Sequence, residues 1–195
     1  MDFAAMHFEK SGSSAKLALV KFRNGRRLWK KIKITYHTGH TYPGYALIHE
    51  TNELLEKVSS FVGDLPVFCC NAEVKTKEIY NTFCGPSIWY PTSKRLCFNL
   101  YDIKSAAKKL IPDLNNTAIK TITKYFGISY NPKSPVSIAT AVGYIANKLM
   151  KLNSSDPSIL TLCSCHQLYL SCRETKPISC ENIYDITNNL LIYDF

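Results

Sequence analysis

The dipeptide Asn24-Gly25 constrains the fold of this chain more than any other feature. It stands between two segments of alternating apolar and polar residues, Lys16–Phe22 (KLALVKF) and Leu28–Tyr36 (LWKKIKITY). Asn-Gly supplies the positive φ values of a tight hairpin turn, so Arg23-Asn24-Gly25-Arg26 is predicted to join two antiparallel strands. Leu17 and Leu19, with Lys21 in step, share one face of the first strand. Ile32, Ile34 and Tyr36 share a face of the second, with Lys31 and Lys33 opposite. The apolar run Phe3–Phe8 adds a third strand, so the chain is expected to open as an antiparallel meander.

Helical spacing begins afterwards. Leu54, Leu55, Val58, Phe61 and Val62 fall on one face of a helix over Asn52–Val62, which Gly63-Asp64 ends. LPVFCC at 65–70 reads as a buried strand, Glu73–Phe83 as a helix, Leu96–Leu100 as a strand and Ile103–Leu110 as a helix. Thr117–Phe126 carries Ala118, Ile119, Ile122, Tyr125 and Phe126 on one face, closed by Gly127. Ser134-Pro135 is a cap followed by a first-turn proline, and it starts a long helix to about Lys151. The order predicts an α/β layer with a mixed sheet flanked by helices. Asn153–Pro157 marks a boundary, giving a main domain over 1–151 and a short Cys-rich C-terminal extension over 152–195 that packs on it.

The charge is uneven. There are 24 Lys and Arg against 15 Asp and Glu, a net +9. Eight of the basic residues lie between Lys16 and Lys33 with no acid among them. Seven more lie between Lys94 and Lys124, against Asp102 and Asp113. Such clusters suit a polyanion, because each neutralised phosphate releases counterions. They equally suit a solvated face, and lysines on an edge strand block sheet-to-sheet pairing. Arg23, Arg26, Arg27, Lys31 and Lys33, with Trp29 as an aromatic face for a base, are the candidate nucleic-acid contacts of the hairpin. Trp89-Tyr90, in a proline-containing loop, is a second aromatic pair that serves either stacking or packing. No apolar run is long enough for a membrane helix and no secretory signal is evident, so a cytoplasmic protein with reduced thiols is expected, with no membrane partner.

Three segments together resemble the DnaQ-like (DEDDh) 3′–5′ exonuclease family, over about residues 1–151. DFAAMHFEK is similar to the family's first strand, which carries aspartate-x-glutamate. GDLPVFCCNAEVK is similar to its second motif, where a buried strand ends in His-Asn-Ala and an aspartate follows. Phe126-Gly127-Ile128 and the Ser134 helix are similar to its third, where histidine and aspartate stand five positions apart. The resemblance implies an RNase H-like fold and a site where two divalent metals, held by four carboxylates, hydrolyse a phosphodiester with a histidine as general base.

Carried over residue by residue, the first aspartate falls on His7, and the glutamate is kept as Glu9. The second-motif histidine falls on Cys70. Asn71 and Ala72 match the pattern, and the aspartate after them falls on Lys75. The general-base histidine falls on Lys133 and the last aspartate on Ile138. One carboxylate of four survives, and no Asp or Glu occurs between Asp113 and Asp156 to supply the third motif in another register. The resemblance therefore implies a degenerate site and no catalytic residues. Its basic groups His7, Lys75 and Lys133, with Asn71, either hold a nucleic-acid phosphate without cutting it, or Glu9 pairs with Lys75 to fill a dead cleft. Ile138 joins Ala141, Val142 and Ile145 on one helix face and adds apolar packing there.

The first expectation is thus a pseudo-exonuclease that binds nucleic acid, single-stranded, through basic surfaces. A protein-interaction scaffold using the filled cleft and tail is the alternative, and a residual metal-dependent 3′–5′ exonuclease the third. No cofactor is expected, with one exception to weigh. Cys163, Cys165, His166, Cys172 and Cys180 offer thiolate and imidazole ligands suited to zinc, although the same residues also suit reduced cysteines in a packed tail.

Overall fold

The computed structural model describes residues 1–12, 14–37, 45–83, 95–153 and 158–171. The opening meander is β1 (Phe3–Ser11), β2 (Ser14–Arg23) and β3 (Arg26–His37). Asn24 and Gly25 take φ of 48° and 77°, the left-handed pair the turn requires. The chain continues through α1 (Tyr45–Val62), β4 (Val67–Cys69), α2 (Ala72–Phe83), β5 (Arg95–Asp102) and α3 (Ile103–Leu110). It then adds α4 (Ile119–Phe126), α5 (Pro135–Leu152), α6 (Ile159–Leu162) and β6 (Ser164–Ser171). One six-stranded sheet results, in the order β3-β2-β1-β4-β5-β6. β1 pairs antiparallel with β2 and parallel with β4, β4 is parallel to β5, and β6 closes the other edge antiparallel to β5. This is the expected RNase H-like mixed sheet with helices on both faces. Among the described residues no helix is long and apolar enough to cross a membrane.

β1 has neighbours on both sides and helices on both faces, and its sequence FAAMHF is correspondingly apolar throughout. Ala4, Met6 and Phe8 pack with Leu17, Leu19 and Val67 under α1 and α2. Phe3 and Ala5 pack with Ala18, Val20, Phe22 and Phe68 under α3, α5 and α6. Lys21 stays on the α1 side, with its ammonium 5.0 Å from the centre of the Phe61 ring. Ser134 caps α5, its Oγ accepting from the Ser137 N–H at 3.3 Å, with Pro135 in the first turn. Gly127 closes α4 at φ 65°.

Two differences from the sequence reading are findings. α5 ends at Leu152, and Ser164–Ser171, in the segment expected to be an extension, enter the sheet as β6. The short pattern SCHQLYLS becomes a strand because β5 offers an open edge. Asp102 holds the second. Its carboxylate accepts from the Asn71 N–H (3.1 Å) and Ala72 N–H (3.3 Å) at the start of α2, and from the Lys104 N–H (2.9 Å) at the start of α3. One side chain therefore caps two helices on opposite faces of the sheet.

Two substitutions test this packing. Asp102→Ala removes both caps and is expected to lower stability by about 2 kcal/mol, at roughly 1 kcal/mol per cap, with Asp102→Asn costing less. A urea midpoint within a few tenths of a molar of wild type would show that neither cap matters. Gly143 lies on the Phe22 ring, which an added Cβ would strike. Gly143→Ala is expected to cost about 1–3 kcal/mol by overpacking, read by thermal denaturation.

Candidate functional site

His7 and Glu9 project from the same face of β1, past the end of β4. The sheet register gives this position. Ala5 pairs with Phe68 of the parallel neighbour, so His7 stands level with Cys70, where the chain leaves β4 for α2. Chain connections diverge from β1 and β4 at this crevice, the usual place for a ligand in an open α/β sheet. Asn71 makes the exit turn with φ 58°, held by Asp102. α2 then carries Lys75 and Glu78 on successive turns facing His7, whose titration both of them influence.

α5 supplies the opposite wall. Gly143 rests on Phe22, which is paired with Phe3, and Asn147 reaches the Asn24-Gly25 turn. A helical turn of about 5.4 Å nearly matches two strand residues at about 6.7 Å. Stepping back along α5 from Gly143 therefore carries its first turn toward the His7 end of β1; Ile138, between the two, is buried.

The charges in the crevice are already matched. Lys16, opposite Glu9 in the β1–β2 register, donates to Glu9 Oε1 at 3.1 Å. His7 Nε2 lies 3.4 Å from Glu9 Oε2. Lys75 donates to Glu78 Oε2 at 2.6 Å, with only 18% of its side chain exposed. The expected Glu9–Lys75 pairing is thus replaced by two separate pairs, because cross-strand register gives Glu9 to Lys16 and the i, i+3 spacing of α2 gives Lys75 to Glu78. Burial pulls the His7 imidazole below its ordinary 6.5, with Lys75 adding to the effect and Glu9 and Glu78 opposing it. Burial alone would raise the Glu9 carboxyl, but the hydrogen bonds and charges of Lys16 and His7 outweigh it and hold Glu9 below its ordinary value.

The other predicted residues distribute as follows. Lys133 is exposed in the turn before α5, its N–H bound to Asn131 Oδ1 at 2.9 Å. Arg23 is tied to Asp2 at 3.2 Å. Arg27, Lys31 and Lys33 are exposed on the edge strand β3. They stand opposite Phe22, Val20 and Ala18, so they share the α5 face of the sheet with His7 and Glu9. Arg26 is exposed at the turn. Trp29 lies in β3, but its side chain is outside the described residues, as are Cys84 and the Trp89-Tyr90 loop.

Strand alternation separates the residues of the proposed zinc cluster. Cys165 stands opposite Tyr101 on the α3 side, whereas His166 stands opposite Leu100 on the α2 side. The two cannot share one metal. Burial pushes the Cys163 thiol up to about 12 and raises that of Cys165. Cys172 and Cys180 lie outside the described residues, and no group of three or more His, Cys, Asp or Glu that could hold a metal occurs among the described ones.

Sequence reasoning missed Lys16, Glu78 and Asp102. A signal existed for each: the short β1–β2 turn places Lys16 opposite Glu9, Glu78 follows Lys75 by three residues, and Asp102 precedes a helix as a cap.

With this geometry in view, the chain can be set beside known proteins. No family profile matches it, and no curated protein matches its sequence. It superposes on a 3′-exonuclease solved for 3′-end-specific recognition of histone mRNA stem-loop, at 11% identity and a TM-score of 0.52, covering 78% of this chain and 82% of that one. Two structures of Thermus thermophilus RuvC, one of them in complex with a Holliday junction substrate, give TM-scores of 0.39 and 0.38 at 11% and 12% identity. They cover 80% of this chain and 98% and 99% of theirs. The exonuclease match shows the fold, an RNase H-like nuclease fold, and the fold alone.

The site predicts a pH response. The folded His7 value lies below the unfolded one, so its contribution is complete above about pH 6.5 and is lost as pH falls through the folded value. Glu9 acts in a lower window. Its folded value is also depressed, so its contribution is complete above about pH 4.5 and is lost as pH falls through the folded value. Urea midpoints against pH should show both steps, and His7→Gln should remove the upper one and shrink the lower one, which Lys16 still supports. An NMR titration placing the His7 midpoint at or above 6.5 would contradict the burial argument.

Proposed function

We propose that this chain is a nucleic-acid-binding protein built on an exonuclease-like fold whose DEDDh-type centre is degenerate: a pseudo-exonuclease. The observation that carries the reading is the state of the two carboxylates in the crevice. Glu9 is held by Lys16 and Glu78 by Lys75. Two-metal hydrolysis needs several free oxygen ligands around two dications. Here each acid already has a lysine, the buried member of one pair is itself a cation, and Ile138 offers no ligand. A divalent ion would have to displace both ammonium groups and then lie beside them, which Coulomb repulsion at short range disfavours. The residues present do not fit the metal pair.

What remains is a surface suited to phosphates. Arg27, Lys31 and Lys33 lie on one face of β3, and same-face strand residues recur about every 6.7 Å. That spacing is of the order of the distance between successive phosphates in an extended strand. The row runs beside α5 toward Lys16 and His7, so a single strand lying along it would reach the crevice. β3 is also an edge strand, and the same lysines keep it from pairing with another sheet.

The test is fluorescence anisotropy of a labelled single-stranded oligonucleotide, run alongside a hydrolysis assay with Mg²⁺ and with Mn²⁺. Binding is expected to weaken steeply as salt rises, with a slope of about 0.7 per phosphate contact, and the oligonucleotide is expected to stay intact. Metal-dependent release of nucleotides that Glu9→Gln abolishes would return the protein to the enzymes. Absence of binding at low salt would leave the protein-scaffold reading in its place.

A further inference from the structure

A groove of about 670 Å³ opens at the far end of α5 from His7, between the Asn24–Arg26 turn, the segment Phe126–Ser129 and the last turns of α5. Its volume is in the range of small-ligand sites. Its walls are fixed in advance. Asn24 and Gly25 hold the left-handed turn, and Gly127 holds the left-handed end of α4. Asn147, buried at 9% exposure, donates from Nδ2 to the Gly25 carbonyl at 2.8 Å and ties the hairpin to the helix.

The lining carries Arg26, Lys148 and Lys151 and no acid. Among the described residues none of the three has an ion-pair partner, whereas the neighbouring Arg23 is neutralised by Asp2. The two lysines partly answer the carbonyls at the α5 C-terminus. Arg26 comes from a hairpin and has no such role, so the groove gathers more positive charge than the helix end requires. Tyr144, 39% exposed, lines the same groove and has its ring fixed by an edge contact with Phe22, at 5.5 Å and 82°. Cations beside a fixed, accessible aromatic ring are the recognition chemistry of an unpaired nucleotide, which offers a phosphate and a base face together.

We propose that this groove is a second binding site, taking a nucleotide unit of single-stranded nucleic acid with its phosphate on Arg26, Lys148 and Lys151 and its base against Tyr144. The proposal rests on the nucleic-acid reading above and adds an anchor for the strand at the hairpin end of α5, remote from the crevice.

The test compares wild type with two double charge reversals, Lys148→Glu/Lys151→Glu in the groove and Lys108→Glu/Lys109→Glu elsewhere. All four lysines are exposed, and the two variants change net charge equally. Thermal denaturation confirms that each folds. Anisotropy with a labelled oligonucleotide should show roughly a tenfold or greater loss for the groove variant and a salt slope lower by about 0.7 for each lysine on a phosphate. The control variant should lose much less. A strand carrying 4-thiouridine should crosslink to the peptide containing Tyr144. Equal losses in both variants, or an unchanged groove variant while wild type binds, would overturn the groove and leave the general reading standing. If wild type itself does not bind, the general reading fails and the groove with it.

Discussion

The carboxylate of Asp102 is the interaction on which the arrangement of this molecule depends. It sits at the end of β5, where the sheet stops and two helices must start in different layers. By accepting from the first N–H groups of α2 and of α3 it satisfies donors that neither helix can satisfy itself. It also places a negative charge at the positive end of both helix dipoles. The Asp102 backbone carbonyl accepts from Ser105 Oγ at 2.7 Å, and that oxygen accepts from the Ser164 N–H at 2.6 Å, at the first residue of β6. The edge strand, both helical layers and the Asn71 turn are therefore referred to one residue. Because Asn71 sets the direction of α2, Asp102 also sets where Lys75 and Glu78 stand against His7.

The crevice balances its own charges. A two-metal site concentrates carboxylates and relies on dications to neutralise them. Here the neutralisation is internal, lysine by lysine, and a histidine between the pairs is held neutral by burial. Such an arrangement is self-sufficient electrostatically. It needs no ion to be stable, and breaking either pair would leave a half-buried charge without a partner.

Much of the fold was legible because its determinants are local. Asn24-Gly25 fixed the hairpin, Ser134-Pro135 the start of α5 and Gly127 the end of α4, each by its own backbone preference. β6 was not legible, since eight residues of mixed pattern become a strand only when β5 presents an edge. In the crevice, His7, Glu9 and Lys75 were singled out in sequence, but their partners Lys16 and Glu78 were not. The partner of Glu9 is decided by the register across the Gly12 turn, that of Lys75 by helical spacing, and the double role of Asp102 by the meeting of two strand ends. Sequence adjacency is not spatial adjacency on a strand: Cys165 and His166 face opposite sides of β6.

α5 joins the two basic regions. Its 18 residues, Pro135–Leu152, span about 27 Å, with Lys151 at the hairpin groove. β3 runs along the same face of the sheet with Arg27, Lys31 and Lys33 between those ends. The small residues Ala139, Gly143 and Ala146 let α5 lie close on β1 and β2, and that closeness brings its outer side level with β3. Packing and charge are in this way one design. The Phe22 ring that lies under Gly143 also holds the ring of Tyr144 by an edge contact, so the shape of the core decides where this exposed aromatic stands.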